Sequence, residues 1–438
     1  MVNRIRQLIR LFSMAAPRQQ AQTSTQPAAL RTAAHVLELP QPVASALGSL
    51  ADPFQLLASE LTHLKQNIKA LVGSDHATLN TIAKYYLASA HQGKLLRPLI
   101  VLLISQATAT TPPTNTHAIP TRDINLPISP PNILNDSNPN QPSSSSAESG
   151  DPHQAGILPT QRRLAEIAEL IHVSSLLHDD VIDQAETRRG QPSAPREFGS
   201  KLSVLAGDFL LARASLALSR LGNFEVIELI SSIISNLVEG ELIQLESILK
   251  IHPPHPSSNP LLQIPIHNFD NRLFDFYQRK NYLKTASLMA KTCRATVLLS
   301  PDSSRSPHLI ESSYQFGKHL GLAFQIVDDI LDYTSSDEAL GKTGNGSDLK
   351  AGLITAPGLY AWKEHGGAFG ELVSRKFVRP GDLELAQMMV KQSDGIRRSY
   401  DLAAHHIDTC RSHLAHFPDS DSKQGLYRLC NLVLERNH

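Results

Sequence analysis

The stretches LLHDDVIDQAETRRG at 176–190 and FQIVDDILDYTSS at 324–336 decide the fold class of this chain. Each contains a DDxxD pattern of three aspartates with apolar residues on both sides. At 100° per residue, the first and last aspartate of a pattern lie one turn apart on the same face of an α-helix. The sequence therefore predicts two apolar helices with carboxylates on one face. We call them the first acidic motif (Asp179, Asp180 and Asp183) and the second acidic motif (Asp328, Asp329 and Asp332).

These six aspartates are candidate ligands of Mg²⁺. Carboxylates that share an apolar helix repel one another, which costs stability unless a cation neutralises them. Mg²⁺ prefers oxygen ligands, needs only one or two carboxylates per ion, and takes further ligands from water and substrate phosphate. A lone DDxxD is more often an exposed acidic helix face. Two copies inside apolar helices favour a magnesium site.

Basic residues near predicted helix ends supply what a phosphate-binding site also requires. The stretch GKLLRP at 93–98 can open a helix whose free N–H groups face an anion, since Pro98 suits a first turn. Two arginines follow the first acidic motif, and YLKTASL at 282–288 carries a lysine and a threonine. Each is ordinary as surface charge, whereas together they fit diphosphate binding. The candidates are Lys94, Arg97, Arg188, Arg189, Lys284, Thr285 and Lys342.

The rest of the chain is predicted to be α-helical, with no convincing alternating strand. Asp270 and Ser306 stand as N-caps, Pro307 as a first helical residue and Gly222 just past a helix end. Apolar residues recur with a helical period over 54–72, 76–91, 98–107, 161–182, 201–221, 224–250, 271–299, 307–335, 354–364, 368–376, 382–416 and 421–436. We therefore expect one all-α domain over 54–436.

Proline-rich polar sequence interrupts this pattern twice. Ten of the 28 prolines lie in 106–160, which is polar and aperiodic and so buries too little to offset its ordering entropy. Residues 251–268 have the same character. Both are predicted to be surface insertions into the domain, because 54–105 is too short for a core of its own.

The first 37 residues contain five arginines and no acidic residue. Ile5, Leu8, Ile9 and Phe12 share one helical face beside those arginines. Such an amphipathic, acid-free start is typical of a mitochondrial transit peptide, whereas a secretory signal needs a longer apolar run. Residues 1–40 are expected to direct the chain to the mitochondrial matrix, with inner-membrane association as an option. A disordered basic tail is the alternative.

Composition excludes several classes of protein. With 41 basic and 41 acidic residues, the chain has no cationic excess for nucleic-acid binding. Its three cysteines cannot form a disulfide framework. No apolar run approaches the roughly 18 residues of a membrane-spanning helix. His406, Cys410 and His413 share a helical face, but a polar helix with scattered histidines is a commoner explanation than a zinc site.

The ordered motifs resemble those of trans-polyprenyl diphosphate synthases, in particular the long-chain type that makes the ubiquinone side chain. The resemblance covers about 54–105, 161–250 and 271–436. It implies a single isoprenoid-synthase-type bundle of long helices around a deep central cavity, with the acidic motifs facing each other across its mouth. The stretches that carry it are GKLLRP, IHVSSLLHDDVIDQAETRRG, GDFLLA, LKTASL, GLAFQIVDDILDY and GKTGNGSDL.

The resemblance also implies roles for individual residues. All six aspartates would bind Mg²⁺ on the two sides of an allylic diphosphate. Ser174 and Ser175, both small, would line the path of the growing tail, where short-chain members often carry an aromatic ring. Leu353 departs from the pattern, since many shorter-chain members have a phosphate-contacting lysine there. Contacts to the allylic diphosphate would come from Arg188, Lys284, Thr285, Gln325 and Lys342, and contacts to isopentenyl diphosphate from Lys94, Arg97, His172 and Arg189.

The sequence thus predicts a prenyltransferase that condenses an allylic diphosphate with successive isopentenyl diphosphates. Its long-chain product would partition into membrane, and the enzyme would be a homodimer or a hetero-oligomer. Three alternatives are a short-chain synthase making farnesyl or geranylgeranyl diphosphate, a non-catalytic subunit of a two-chain synthase, and a terpene cyclase. The intact aspartates disfavour the second, and GKLLRP with the second acidic motif disfavours the third.

Overall fold

Long α-helices form most of the structure, a computed structural model that describes residues 52–88, 93–109, 123–136, 138–140, 156–249, 269–301, 306–334 and 346–436, with only the backbone of 246–249. The first half contains α1 (Pro53–Leu56), α2 (Ala58–Leu71), α3 (Ala77–Ala83), α4 (Leu96–Thr108), α5 (Pro131–Leu134), α6 (Pro159–Ile182), β1 (Thr187–Arg188), β2 (Gln191–Pro192), α7 (Ala194–Phe198), α8 (Ser200–Ser219) and α9 (Phe224–Leu249). The second half contains α10 (Arg272–Asn281), a π-turn (Tyr282–Ala286), α11 (Ser287–Leu298), α12 (Pro307–Thr334), α13 (Ser347–Lys350), α14 (Ala356–His365), α15 (Gly367–Ser374), α16 (Asp382–Gln392), α17 (Gly395–Leu414) and α18 (Asp421–Leu434). The all-α prediction is confirmed.

Most of the predicted helix signals act as expected. Ser306 Oγ accepts the N–H of Leu309 at 3.1 Å, and Pro307 opens α12. The N-cap of α10 is Asn271 and not Asp270 as predicted, although Asp270 Oδ1 accepts the N–H of Arg272, the first residue of the helix, at 2.8 Å. Gly222 adopts a φ of 70° shortly after the end of α8. Local sequence therefore sets these helix ends directly.

The continuous helix predicted over 382–416 is instead two helices, α16 and α17. Ser393 is extended, and its Oγ accepts the N–H of Gly395 at 3.0 Å. A Cβ at Gly395 would lie 2.4 Å from the carbonyl oxygen of Pro357, so the approach of α17 to α14 requires glycine. The apolar pattern continues on both sides of this short break, and periodicity alone did not reveal it.

A two-stranded antiparallel hairpin, which the sequence did not indicate, follows α6. Thr187 pairs with Pro192 and Arg188 with Gln191. Arg189 and Gly190 form the turn with φ of 52° and 75°, the left-handed geometry that two-residue hairpins prefer. Strands of two residues are too short to show alternation. The hairpin places Arg188 on a strand and Arg189 at the tip.

The core places both acidic motifs at helix ends. Helix α12 packs against α11 and α17, and α6 packs against α4 and α8. Phe316, Leu164 and Ile167 are fully buried within this packing. The first acidic motif closes α6, and the second lies in the last two turns of α12. The acidic residues therefore lie at the C-terminal ends of two core helices.

Part of the predicted insertion 106–160 lies against the helical body. Helix α4 continues to Thr108 and α6 begins at Pro159, so both ends of this stretch are helical. Asn138 Nδ2 donates to the carbonyl oxygen of Ala70 at 3.0 Å, and Arg213 Nη1 lies 2.7 Å from Asp136 Oδ2. Residues 123–140 are thus integrated with the body, contrary to the picture of a loose surface insertion. The other predicted insertion, 251–268, and residues 1–40 lie outside the described residues.

Within the described residues, one helix, α8, is long and apolar enough to cross a bilayer. The sequence analysis had expected no such segment. Buried positions make up 44% of its most apolar window, and it packs against α6. The apolar residues of α8 are therefore partly buried in the protein interior and partly exposed.

Candidate active site

The middle aspartate of the first acidic motif is buried and paired. Asp180 is 1% exposed. Arg188 donates from Nε and Nη2 to its two carboxylate oxygens at 2.7 and 2.6 Å, and the Tyr86 hydroxyl donates to the same carboxylate. A two-pronged pair of this kind is strong and directional. Arg188, predicted to bind substrate, therefore also fixes Asp180 in place.

The outer aspartates, Asp179 and Asp183, lie in a carboxylate-rich neighbourhood. Burial raises the pKa of the Asp179 carboxyl to about 7, with Glu241 and Asp183 adding to the shift and Lys284 opposing it. Burial and then Glu241 also raise the pKa of Asp183. Lys284 Nζ lies 2.5 Å from Glu241 Oε2. One lysine is thus shared by three carboxylates, an imbalance that a divalent cation would remove.

The middle aspartate of the second acidic motif is held in a similar way. Asp329 is 4% exposed and accepts hydrogen bonds from the Tyr277 hydroxyl at 2.5 Å and from Gln325 Nε2 at 2.9 Å. Burial raises the pKa of Asp329 to about 6, and Lys280 opposes that shift. Both middle aspartates are therefore bound by a buried tyrosine and one further donor.

The outer aspartates of the second acidic motif differ from each other. Asp332 accepts the backbone N–H groups of Ser347 and Asp348 at 3.0 and 3.1 Å, at the start of α13. Asp328 is partly exposed and lies 2.7 Å from Nη1 of Arg436, close to the end of the chain. Asp332 thus caps the start of α13, whereas Asp328 is held by a partly exposed ion pair.

The π-turn joins the two acidic motifs. Lys284 pairs with Glu241 beside the first motif, whereas its neighbour Thr285 donates to Gln325 Oε1 at 2.8 Å beside the second. Gln325 in turn donates to Asp329. Successive helical residues point about 100° apart, so neighbouring residues of the π-turn can face different acidic motifs. π-turns are also frequent at functional sites. The structure therefore brings Lys284, Thr285 and Gln325 together between the two acidic motifs.

A second cationic cluster forms around Arg97, Arg189 and His172. Burial lowers the pKa of Arg97; Glu169 and Asp328 oppose that shift, and Arg189 adds to it. Burial, followed by Arg97 and Arg189, holds the pKa of His172 well below its ordinary value, so its imidazole is neutral. Nε of Arg97 is buried and has no hydrogen-bond partner among the residues that the structure describes. The cluster is cationic, partly enclosed and suited to an anion.

Gly93 allows this cluster to assemble. A Cβ at Gly93 would lie 2.7 Å from Nη2 of Arg189, so the guanidinium lies directly over the glycine. The neighbouring Lys94 is exposed at the entrance to α4. The start of a helix within GKLLRP was predicted from the sequence, whereas the position of Arg189 over Gly93 was not. Lys342 lies outside the described residues.

The two serines predicted to line the tail path differ in environment. Ser174 is fully buried and donates to the carbonyl oxygen of Gly207 on α8 at 2.8 Å. Ser175 is partly buried and donates to the carbonyl oxygen of His172 in its own helix. Ser174 therefore packs against a neighbouring backbone, and Ser175 has the more open side.

Several residues of the site escaped the sequence analysis. Glu241 and Lys280 are single charges in helical sequence with no motif around them, and a buried tyrosine looks like core until its partner is known. Of these residues, only Lys280 could have been suspected from the sequence, because it lies about one helical turn before LKTASL. The missed residues are Tyr86, Glu169, Glu241, Tyr277, Lys280 and Arg436.

The zinc alternative on α17 finds no support. Cys410 donates to the carbonyl oxygen of Phe316, and His406 Nδ1 lies 2.8 Å from His319 Nδ1. No three potential metal ligands lie close enough together to hold an ion among the described side chains, either on α17 or at the acidic motifs. These residues form contacts between α12 and α17 instead. All three cysteines are buried and free.

The acidic residues of the site fit magnesium by their chemistry. They offer carboxylate oxygens alone, the ligand type that Mg²⁺ prefers. Burial, with Glu241 and a neighbouring aspartate adding to it, raises the pKa of Asp179 and of Asp183, although Lys284 and Arg188 oppose both shifts. The donor set therefore suits a hard divalent cation on the side of Asp179, Asp183 and Glu241.

Comparison with known proteins adds independent findings. The sequence model of the polyprenyl synthetase family matches residues 144–388. The chain is 46% identical to a probable mitochondrial hexaprenyl pyrophosphate synthase of Neurospora crassa, over 88% of this chain and 82% of the relative. It is 38% identical to decaprenyl-diphosphate synthase subunit 1 of Schizosaccharomyces pombe, over 87% and 90% of the two chains. A crystal structure of a polyprenyl synthase from Caulobacter crescentus, complexed with calcium and isoprenyl diphosphate, superposes with a TM-score of 0.66 at 26% identity, covering 89% and 99%.

Proposed function

The chain belongs to the polyprenyl synthetase family and is a prenyltransferase, and we propose that it extends an allylic diphosphate with successive isopentenyl diphosphates, in the trans configuration, to a long-chain polyprenyl diphosphate. The observation that carries this proposal is the meeting of both acidic motifs around the π-turn, with the Arg97 cluster beside them. Elongation needs two diphosphate sites, and the arrangement offers two. A terpene cyclase, which ionises one diphosphate, has no use for the second cluster.

Mg²⁺ would be held by Asp179, Asp183 and Glu241 on one side and by Asp328 on the other. When bound, it supplies positive charge to the departing diphosphate. Asp180, Asp329 and Asp332 accept protein hydrogen bonds and support the helix ends that carry these ligands. Of the six aspartates, Asp179, Asp183 and Asp328 would thus bind the metal, and Asp180, Asp329 and Asp332 would position these ligands.

The allylic diphosphate would be bound by Arg188, Lys284, Thr285, Gln325 and Lys342. Arg188 and Lys284 currently pair with Asp180 and Glu241, so both have their cationic ends at the acidic motifs. Positive charge placed there stabilises the diphosphate as its bond to the allylic carbon breaks. Cations whose positions are fixed in advance do this without reorganising during the reaction.

Isopentenyl diphosphate would be bound by Lys94, Arg97, Arg189 and His172. Because His172 is neutral, it can donate or accept a hydrogen bond without adding charge, while the arginines neutralise the diphosphate. Holding this substrate next to the allylic carbon lets its double bond attack once that carbon becomes electron-poor. A proton is then lost to the diphosphate just released, so no nucleophilic side chain is required.

A long product for the ubiquinone side chain, made in mitochondria, is the finer proposal. Relatives named hexaprenyl pyrophosphate synthase are described as mitochondrial. The amphipathic, acid-free start over residues 1–40 supports import into the matrix. A fusion of residues 1–40 to a fluorescent reporter should enter mitochondria; a reporter that stays cytosolic would remove the targeting proposal and leave the chemistry untouched.

The exposed apolar faces of α8 and α9 support an oligomer. Large exposed apolar side chains on two consecutive helices are typical of interaction surfaces on folded proteins. We propose that they join two copies of the chain, with a different subunit as the alternative, since one relative is named subunit 1 of its synthase. The residues are Leu202, Leu205, Phe224, Val238 and Leu242, which are 38, 58, 89, 56 and 55% exposed.

A product assay tests the proposed function. The purified chain without residues 1–40 is incubated with farnesyl diphosphate, labelled isopentenyl diphosphate and Mg²⁺, and products are separated by chain length. We expect polyprenyl diphosphates longer than C20. A product of C20 or shorter would support the short-chain alternative, and cyclised hydrocarbon would support the terpene cyclase. If neither substrate is consumed until a partner subunit is added, the result would support the alternative of a non-catalytic subunit.

A further inference from the structure

Lys280 is a cation of the site that no sequence motif includes. It lies in the last turn of α10, four residues before Lys284, so the two lysines share one face of the helix. Its Nζ is 5.6 Å from the centre of the Tyr277 ring, whose hydroxyl donates to Asp329. The lysine is partly buried. It therefore lies beside the second acidic motif on the side that faces the π-turn.

The electrostatic surroundings of Lys280 include both halves of the site. Burial lowers the pKa of its ammonium group, and Asp329, Asp348 and Glu241 oppose that shift, whereas Lys284 adds to it. Asp329 belongs to the second motif, and Glu241 lies beside the first. Lys280 is thus within electrostatic range of acids on both sides.

The other cations near the allylic diphosphate site are already paired. Arg188 holds Asp180 at 2.6 Å, and Lys284 holds Glu241 at 2.5 Å. Lys280 has no carboxylate within 4.0 Å in the part of the chain that the structure describes. A diphosphate that enters the site must compete with carboxylates for Arg188 and Lys284. At Lys280 this competition is weaker, because Asp329 and Asp348 attract its ammonium group without a described ion pair within 4.0 Å.

Lys280 partly offsets the charge of Asp329 in the free protein, but it forms no close ion pair with that carboxylate among the described residues. Burial of an ammonium group with only distant counter-charges costs stability. Its single described ring contact, to Tyr277, is a weak cation–π interaction. A ligand with strong negative charge would make the position favourable.

We propose that Lys280 is a further substrate-binding residue, which contacts the allylic diphosphate across the gap between the two acidic motifs. The inference rests on the proposed function and assigns one more contact to its allylic site. The lysine acts before the reaction as well as during it, because its charge is available in the free enzyme. Its loss therefore weakens binding of the allylic substrate more than it slows turnover.

The test compares Lys280→Met with wild type, using farnesyl diphosphate as primer and saturating Mg²⁺. A charge-assisted contact of this kind changes binding by roughly ten- to a hundredfold. We expect the KM for farnesyl diphosphate to rise by about that factor, while the KM for isopentenyl diphosphate changes less than about threefold. Lys280→Arg keeps the charge and should recover most of the affinity. Arg97→Ala provides the opposite pattern, with the larger rise in the KM for isopentenyl diphosphate.

Lys291→Met is the matched control for loss of a partly buried lysine. Lys291 lies on α11 in the same helical stretch and donates to Ser232 at 2.7 Å, away from both acidic motifs. It should leave both Michaelis constants within about twofold of wild type.

Direct binding gives a readout apart from turnover. Calorimetric titration with a non-hydrolysable thio analogue of farnesyl diphosphate should show the same loss in Lys280→Met. Unchanged affinity for primer and analogue in that variant would refute the contact. If Lys280→Met instead lowers the melting temperature and raises both KM values equally, its role is structural and the proposal fails. Wild-type protein that does not elongate the primer would count against the proposed function itself.

Discussion

At the scale of single residues, the six aspartates are not equivalent. Asp180 and Asp329 are buried and accept hydrogen bonds from a tyrosine and from a second side chain, whereas burial and neighbouring acids raise the pKa of Asp179 and Asp183. A carboxylate that already accepts strong hydrogen bonds gains less from a metal than one that does not. The division into positioning and metal-binding aspartates follows from this difference.

Replacing Asp179 by alanine should nearly abolish turnover at fixed Mg²⁺. The carboxylate supports charge that is needed as the diphosphate leaves, so we expect a fall in kcat of about a hundredfold or more. Steady-state kinetics measures this, and Mn²⁺ binding followed by electron paramagnetic resonance gives an independent readout of the metal site. Asp208→Ala, which removes an exposed aspartate on α8, is the control. Near-wild-type turnover in Asp179→Ala would show that the metal lies elsewhere.

Chain length should respond to Ser175 more cleanly than to Ser174. Ser174 is enclosed against Gly207, so a phenylalanine there would collide with the α8 backbone and destabilise the fold by about 1–3 kcal/mol. Ser175 has the more open side, and Ser175→Phe should shorten the product towards three or four isoprene units while turnover continues. Chromatography of the products checks the length, and thermal melting separates the two variants. An unchanged product in Ser175→Phe would show that this face does not line the tail path.

At the scale of elements, the contact between α12 and α17 contains a histidine pair. His319 Nδ1 lies 2.8 Å from His406 Nδ1, and burial lowers the pKa of both imidazoles to about 4. The unfolded value is about 6.5, so between these pH values the unfolded chain binds more protons. The stabilisation that this pair contributes is therefore fully present above about pH 6.5 and is lost as the pH falls towards 4.

Replacing His406 should make the protein less sensitive to acid. Between pH 7 and pH 5, each histidine with a folded pKa of about 4 should cost the wild type about 2 kcal/mol of stability. The difference in melting temperature between these two pH values should shrink in His406→Asn. His308→Asn changes an exposed histidine on α12 and should leave the difference as in wild type. An identical pH response in His406→Asn would mean that the pair titrates normally.

The docked segment 123–140 changes what a deletion should do. From sequence, removal of 110–156 is expected to leave folding intact, since polar insertions bury little. The structure instead supports a stability cost, because Asp136 pairs with Arg213, a side chain only 8% exposed. Asp136→Ala should lower the unfolding free energy by about 1–2 kcal/mol, since it leaves a buried cation with fewer partners.

Urea unfolding measures the effect of Asp136→Ala. Asp401→Ala, which breaks an ion pair between side chains that are more than half exposed, is the control and should change stability by less than about 0.5 kcal/mol. Equal stability of the two variants would indicate that the contact between Asp136 and Arg213 does not stabilise the protein.

At the scale of the whole molecule, the exposed faces of α8 and α9 should control assembly. The double variant Leu205→Glu, Leu242→Glu places charges in the proposed interface, where burial without partners is unfavourable. Light scattering after size exclusion should give a dimer for wild type and a monomer for the variant. Met388→Glu, at a 46% exposed apolar position on α16, should remain dimeric. A wild type that is monomeric until another subunit is added would favour the hetero-oligomer.

Sequence by itself determined the helical class, the two acidic motifs and most of the cations, because these depend on local spacing. Helix period, caps such as Ser306 and the DDxxD spacing are properties of neighbouring residues, and they need no knowledge of distant contacts. The DDxxD spacing that places carboxylates on one face of a helix can be recognised directly in the sequence. The family assignment depends on the order of these local signals.

Only the tertiary structure decided which charges meet. Tyr86 reaches Asp180 across 94 positions of the chain, Lys284 meets Glu241 from another helix, and Lys280 is left without an ion-pair partner among the described residues. These pairings depend on how whole helices pack, and a single charge or a buried tyrosine carries no local sign of its partner. For the same reason, the docking of Asp136 on Arg213 was invisible in a stretch whose composition is that of a loop. Local spacing specified the elements of this protein, and helix packing specified the electrostatics of its site.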